Sequence, residues 1–412
     1  MPGQILIAAG GWHDDSPGGA YRLPSEFAHY LVKRGWRVAY LCPSRRGDNP
    51  NPEDCKGVEL HRYSLPPASS LNAKNLFGHL HWSRSIAALI ASRGTIHVLL
   101  GHSPLQYLGA LSGCHALRKC YTVHSPFAAE LRSGCSGRPT LRMRVAWALA
   151  ERMEAYIYSK SDVVQCFSNY VLHELSRDFG RTLNGKNVVL PAWVDTGRFT
   201  PSDESAQQVR ERLGAPWNSG YPTFVTVRRL VPRMGLDNLL EAAAILSAEG
   251  LAFRLMIAGD GPELQSLTNQ RSAMSLEKHV FFLGRIPEER LVDVFRAGDC
   301  FVLPTRALEG FGLTILEAYA CGTPVIAAPV GAISEVMGLS FQSWLADDTS
   351  AKAIAARMRE FLMNRLVEDR KFLRHRALEF DLERVAGHHE RVLLGRTDEA
   401  TVGQALRGAF SA

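Results

Sequence analysis

Short uninterrupted apolar runs alternate along the chain with longer stretches whose apolar positions recur at helical spacing. Eleven runs read as fully buried strands: Ile5 to Ala9, Arg37 to Cys42, His97 to Leu100, Cys120 to Val123, Val163 to Phe167 and Asn187 to Leu190, then Thr223 to Val227, Phe253 to Ala258, Val280 to Leu283, Cys300 to Leu303 and Pro324 to Ala327. Each is followed by a loop and a helix-like segment, the pattern of parallel sheets covered by helices on both faces. Eleven strands overfill one ordinary doubly wound sheet. The polar stretch Thr200 to Tyr221, with Pro201, Gly214, Pro216 and Gly220, interrupts the rhythm near the middle. The expected fold class is therefore α/β, with two Rossmann-like halves joined near Pro191 to Thr200. The expected division is residues 1–192, residues 193–380 and a closing segment 381–412, in which Leu382 to Leu394 reads as a helix. Ligands of such sheets bind beyond the carboxyl ends of the strands, so the residues just after each strand carry the chemistry, and two facing halves put the site in the cleft between them.

Composition narrows the class. The 412 residues are 46% hydrophobic and 21% charged, enough for a sizeable core, and 35 glycines with 21 prolines are too few for a fibrous or disordered chain. The net charge of +6 points to anionic ligands but is too small for a dedicated nucleic-acid binder. The eight cysteines include no C-x-x-C pair, which excludes a zinc ribbon or thioredoxin-like motif and makes free thiols the expectation. No segment reaches the roughly 18 apolar residues of a membrane-spanning helix, and the N-terminus enters a strand pattern without a signal peptide, so a cytoplasmic location is expected.

The most informative stretch runs from Pro304 to Ala327. A buried strand enters a loop holding Glu309, Gly310 and Gly312, then a helix carrying Glu317. The glycines let backbone approach a ligand, and the free N–H groups at Gly312, Leu313 and Thr314 suit an anion such as a diphosphate. Taken alone, two carboxylates around a helix start could equally complement its dipole. Their separation by seven residues around Gly-Phe-Gly, followed by Cys-Gly-Thr-Pro-Val-Ile-Ala, resembles the Glu-x7-Glu signature of the retaining family 4 glycosyltransferases, which have the two-Rossmann GT-B fold. That resemblance implies that Glu309 contacts donor-sugar hydroxyls and Glu317 the ribose. It also implies that the backbone of Gly310, Phe311, Gly312, Leu313 and Thr314 holds sugar and phosphate.

Val227-Arg-Arg-Leu-Val-Pro-Arg-Met-Gly-Leu-Asp is similar to the family's Gly-Arg-Leu-x-x-x-Lys-Gly loop, whose Arg and Lys clamp the diphosphate. Arg229 matches the Arg and Gly235 the last Gly, but Arg228 stands for the first Gly and Met234 for the Lys. A thioether cannot stabilise a leaving diphosphate, so Arg233 is the expected second cation, whereas Arg228 reads as an ordinary surface residue. In the first half, Gly10, Gly11, Gly18 and Gly19 follow the opening strand and precede a helix expected from about Pro24 to Arg34. The family sets this loop against donor phosphate and acceptor. Tyr121-Thr-Val-His resembles the family segment that ends in a histidine facing the transferred sugar, which falls on His124. His102 matches a weaker pattern near the acceptor. The backbone near Arg285 and Ile286 corresponds to the loop that reads the base. In this fold the closing helix braces the first domain.

The resemblance implies transfer of a hexose, a UDP-sugar being the favoured donor, to a sugar, lipid-linked or small-molecule acceptor in polysaccharide or glycoconjugate biosynthesis. It implies His124, Arg229, Arg233 and Glu309 as catalytic residues, with no divalent metal and no further cofactor. A nucleotide-sugar epimerase and a non-catalytic sensor or assembly scaffold are the alternatives. Arg138, Arg142, Arg144 and Arg152 on an apolar helix pattern fit either a solvated sheet-covering helix or a peripheral contact with the inner membrane face.

Overall fold

Continuous apolar runs give strands that are mostly buried, and four of them, Gln4–Ala8, Val163–Cys166, Cys300–Leu303 and Val325–Ala327, are buried at every position. A computed structural model of the chain describes residues 3–15, 18–44, 52–65, 73–133, 138–214, 216–217, 220–364 and 369–396. Cys135 and most of the polar tail lie outside the described residues. The described residues divide into two units, one built from 3–132, 138–192 and 383–396, the other from 193–382.

The first unit holds β1 (Gln4–Ala8), β2 (Arg37–Ser44), β3 (Glu53–Cys55), β4 (Val58–Ser64), β5 (Ile96–Gly101), β6 (Ala116–Val123), β7 (Val163–Cys166) and β8 (Asn187–Val189). They form one sheet in the order β3-β4-β2-β1-β5-β6-β7-β8. All neighbours run parallel except β3 and β4. β1 and β7 are buried throughout, as strands covered on both faces must be. The strand order reverses between β1 and β5, which opens a crevice at their carboxyl ends.

Two strands, β3 and β4, were not expected from the apolar runs. β4 alternates buried and part-buried positions, and β3 is Glu-Asp-Cys without a hydrophobic signal. A two-residue turn with positive φ at Lys56 and Gly57 pairs them, and the Gly57 N–H donates to Asp54 Oδ1 at 2.9 Å. The first helix spans Gly19–Lys33, five residues longer at its start than expected, and carries Pro24 inside it. A proline there withholds only one helix hydrogen bond, and its buried ring contributes to the core.

The helix Leu382–Leu393 packs on the first unit through its buried face. Glu390 accepts from Trp36 Nε1 at 2.9 Å and Arg34 Nε at 3.3 Å. His389 is fully engaged as a neutral ring, with Gln165 Nε2 at 2.8 Å from Nδ1 and the Pro191 carbonyl at 2.9 Å from Nε2. Burial pushes its pKa down to about 4.

The second unit holds β9 (Thr223–Val227), β10 (Arg254–Ala258), β11 (Val280–Gly284), β12 (Cys300–Leu303) and β13 (Val325–Ala327). All are parallel, in the order β11-β10-β9-β12-β13. Here the order reverses between β9 and β12. The loops that leave those two strands are Arg228–Gly235 and Pro304–Gly312, the segments carrying the charged motifs. The cysteines at 42, 55, 114, 300 and 321 are free thiols. No helix among the described residues is long and apolar enough to cross a membrane.

Candidate functional site

In the first unit, the residues after β1, β5 and β6 converge. Gly10 lies against Tyr21 and Ser103, since a Cβ there would come within 3.3 Å of the Tyr21 ring and 3.5 Å of Ser103 Oγ. His102 follows β5 and His124 follows β6. His102 Nδ1 lies 3.1 Å from His124 Nε2, so one ring donates to the other. Desolvation lowers both basicities, His124 to about 4 and His102 well below its ordinary value with the His124 charge adding to the effect. The pair is therefore neutral at physiological pH and offers hydrogen bonds instead of charge. His102 Nε2 has no hydrogen-bond partner among the described residues, and His124 stacks edge-on against Phe167 at 5.2 Å. Gly18 adopts φ 127° and ψ 152°, a conformation available to glycine at little cost, and Gly19 opens the helix Gly19–Lys33.

In the second unit, the loop after β9 turns sharply back on the loop after β12. Gly235, at φ 70°, lies so close to the Pro304 carbonyl that a Cβ would stand 2.0 Å from its oxygen. Gly331 approaches Glu309 in the same way, its missing Cβ 2.2 Å from the Glu309 carbonyl, and Ala332 N–H donates to that carbonyl at 2.9 Å. The two backbones thus hold Glu309 at a fixed place beside the helix Leu313–Ala320. Gly312, with φ 90°, caps this helix, and Phe311 is anchored edge-on to Phe380 at 5.9 Å.

The expectation for Arg228 is overturned. Its side chain is only 7% exposed, because the chain leaves β9 pointing it between the two loops. Nη2 donates to Glu309 Oε2 at 2.5 Å and Thr305 Oγ1 at 2.7 Å and lies 3.0 Å from Met234 Sδ, while Nη1 reaches Thr314 Oγ1 at 3.5 Å. Thr305 also bonds Glu309, at 3.3 Å. A nearly dry carboxylate and guanidinium at a helix N-terminus form a polar cluster in which each group needs the other.

The other arginines differ. Arg233 Nη1 donates to the Leu308 carbonyl at 3.1 Å, a bond that ties the two loops, and Leu308 itself sits in the left-handed region at φ 57°. Arg229 is exposed, and its guanidinium has no hydrogen bond or ion pair among the described residues. Glu317 is buried one turn into the helix, at 5% exposure. Arg285 is exposed and Ile286 half-buried in the loop after β11, two strands from β9. The structure therefore gathers Glu309, Thr305 and Thr314 around Arg228, ties Arg233 to the Leu308 backbone, and leaves Arg229 toward solvent. Sequence reasoning missed Thr305, for which the available signal was its place two residues beyond β12.

Known proteins match both units. The family model described as Glycosyltransferase Family 4 matches residues 17–198, and that of Glycosyl transferases group 1 matches residues 209–379. A GDP-mannose-dependent alpha-(1-6)-phosphatidylinositol monomannoside mannosyltransferase of Mycolicibacterium smegmatis is 33% identical over 212 residues, 50% of this chain and 54% of that protein. A D-inositol 3-phosphate glycosyltransferase of Rhodococcus jostii is 35% identical over 188 residues, 44% of this chain and 40% of that protein. The chain thus spans about half the length of the curated relatives it matches. Among solved structures, a sucrose-phosphate synthase from Thermosynechococcus elongatus superposes with a TM-score of 0.76 at 22% identity, over 96% of this chain and all of that one. With two matched models in sequence and two parallel-sheet units in the fold, this chain belongs to the group 1 glycosyltransferases of the GT-B class.

Proposed function

We propose that this protein is a retaining glycosyltransferase that moves a hexose from a nucleotide diphosphate donor to an acceptor hydroxyl. The observation that carries this reading is the Arg228–Glu309 pair at the N-terminus of Leu313–Ala320, where the strand order of the second sheet reverses. A fixed carboxylate accepts hydrogen bonds from sugar hydroxyls, and cations beside a helix N-terminus hold a diphosphate as it gains charge on leaving. Glu309 takes the sugar, Glu317 the ribose, and Arg229, Arg233 and the backbone of Gly312 to Thr314 the phosphates. Arg285 and Ile286 face the base. Neutral His124 hydrogen-bonds the transferred sugar. The leaving phosphate accepts the acceptor's proton, and the chain's own cations and helix N-terminus, in place of a divalent metal, offset its charge.

Relatives named for GDP-mannose move the first choice of donor from the UDP-sugar expected from sequence to GDP-mannose. A thermal-shift panel of UDP, GDP and ADP with their hexose conjugates, in EDTA, tests donor and metal together. At 100 times its Kd a donor adds about 2.7 kcal/mol of stability. The expected result is stabilisation by one base series in EDTA; no shift with any member would overturn the donor assignment.

The acceptor we propose is lipid-linked. On the helix Leu141–Lys160, Leu141, Val145 and Leu149 are 77, 51 and 59% exposed, and Tyr156 continues the same face. At 100° per residue these positions share one side, with Arg152 among them and exposed Arg142 and Arg144 on its flanks. An apolar stripe set among cations suits the surface of an anionic bilayer. Co-sedimentation with vesicles of 30% anionic lipid is expected to be strong at low salt. It should fall several-fold for Leu141→Ser/Val145→Ser/Leu149→Ser, and equal sedimentation of the two proteins would count against the lipid acceptor.

A further inference from the structure

Three arginines lie within six residues after β9, yet only one is enclosed by the polar groups of the site. Arg228 has a side chain 93% buried, and it faces Glu309, Thr305 and Thr314. Its Nε is buried without a hydrogen-bond partner among the described residues. The guanidinium thus retains donor capacity beside a helix N-terminus that already favours negative charge. A single carboxylate offsets both. The charge pattern is that of an anion-binding site in which Glu309 supplies the counter-charge to Arg228.

Met234 gives the arrangement its second half. Its sulfur lies 3.0 Å from Arg228 Nη2, so residues 228 and 234 present their side-chain ends at one point in space. A thioether there is a weak acceptor and an apolar wall that leaves the guanidinium in place without adding charge. A lysine at 234 would bring a second cation onto the first, with no second carboxylate bonded to Arg228 among the described residues to neutralise it. Arginine at 228 and methionine at 234 are therefore compatible with each other in a way that arginine with lysine is not.

We propose that Arg228 is a binding residue for the donor diphosphate and that positions 228 and 234 have exchanged the charge between them. This rests on the nucleotide-sugar reading above. Arg228 forks onto phosphate oxygens while Glu309 passes to the sugar hydroxyls, so donor binding replaces one internal ion pair with two contacts to the ligand. Arg233, through its bond to the Leu308 carbonyl, also positions the Glu309 loop.

The test is a charge-exchange cycle on the full chain: wild type, R228G, M234K and R228G/M234K. Calorimetry measures binding of the nucleoside diphosphate selected by the panel and of the matching nucleoside, with thermal melts as the folding control. R228G is expected to weaken diphosphate binding at least tenfold and nucleoside binding less than twofold. M234K added to R228G should recover most of the loss, whereas M234K alone should bind diphosphate no better than wild type. Unchanged diphosphate binding in R228G overturns the proposal, and so does a folded double variant that recovers nothing. If R228G melts below the assay temperature, R228K carries the same test, because it keeps a cation for Glu309 but loses the fork. Diphosphate binding should then fall at least threefold, and wild-type affinity would refute the assignment. A wild-type protein that binds no nucleoside diphosphate at all would instead remove the donor reading itself.

Discussion

Arg229→Ala lowers kcat about 10²- to 10³-fold while leaving the melting temperature within about 1 °C of wild type. The second half of this expectation follows from the structure: Arg229 is exposed and its guanidinium bonds to no described residue, so its removal opens no cavity and strands no buried charge. The first half follows from the assigned chemistry. Charge builds on the leaving diphosphate in the transition state, and a cation that meets it there contributes more to that state than to the bound donor. The loss should therefore appear in kcat more than in donor KM. Steady-state kinetics over a range of donor concentrations checks this. Near-normal turnover in the variant would place the diphosphate clamp elsewhere.

Gly235→Ala destabilises the second unit by at least about 2 kcal/mol more than Gly250→Ala, a gap of roughly 4–8 °C in Tm. The two glycines share a left-handed backbone, with φ 70° and 74°, so the intrinsic cost of a Cβ, about 1–2 kcal/mol, is common to both. Their surroundings differ. A Cβ on Gly250 meets nothing within 4 Å, whereas one on Gly235 stands 2.0 Å from the Pro304 carbonyl oxygen. Backbone cannot swing aside as a side chain can, so the two loops must part. Arg233 and Met234 then shift against Pro304 to Glu309, and donor binding is expected to fall even in the fraction that stays folded. Differential scanning calorimetry of both variants, with donor binding at a temperature below either transition, measures the two effects separately. Equal melting temperatures would show that the loops yield more easily than this contact implies.

Much of this protein follows from sequence, for identifiable reasons. A continuous apolar run such as Phe301-Val302-Leu303 can only be satisfied by burial on both faces, so eleven strands and the α/β class were legible from hydrophobicity alone. The alternating β4 and the polar β3 were not, because an edge hairpin buries only one face and leans on its turn. The Glu309 loop was legible through the resemblance carried by Glu309 and Glu317, separated by seven residues around Gly-Phe-Gly.

Tertiary structure alone decided which arginine is enclosed beside Glu309. Arg228, Arg229 and Arg233 are chemically identical and lie in a loop, where no helical or strand period fixes the direction of a side chain. Direction is set by where the chain leaves β9, by Gly235 pressed against the Pro304 carbonyl and by the space that Met234 leaves beside Glu309. Sequence determined that cations would stand at the end of β9. The packing of two loops at the point where the strand order reverses decided that Arg228 is buried against Glu309 and Arg229 left in solvent, because a desolvated guanidinium is stable only where a carboxylate and hydroxyls surround it.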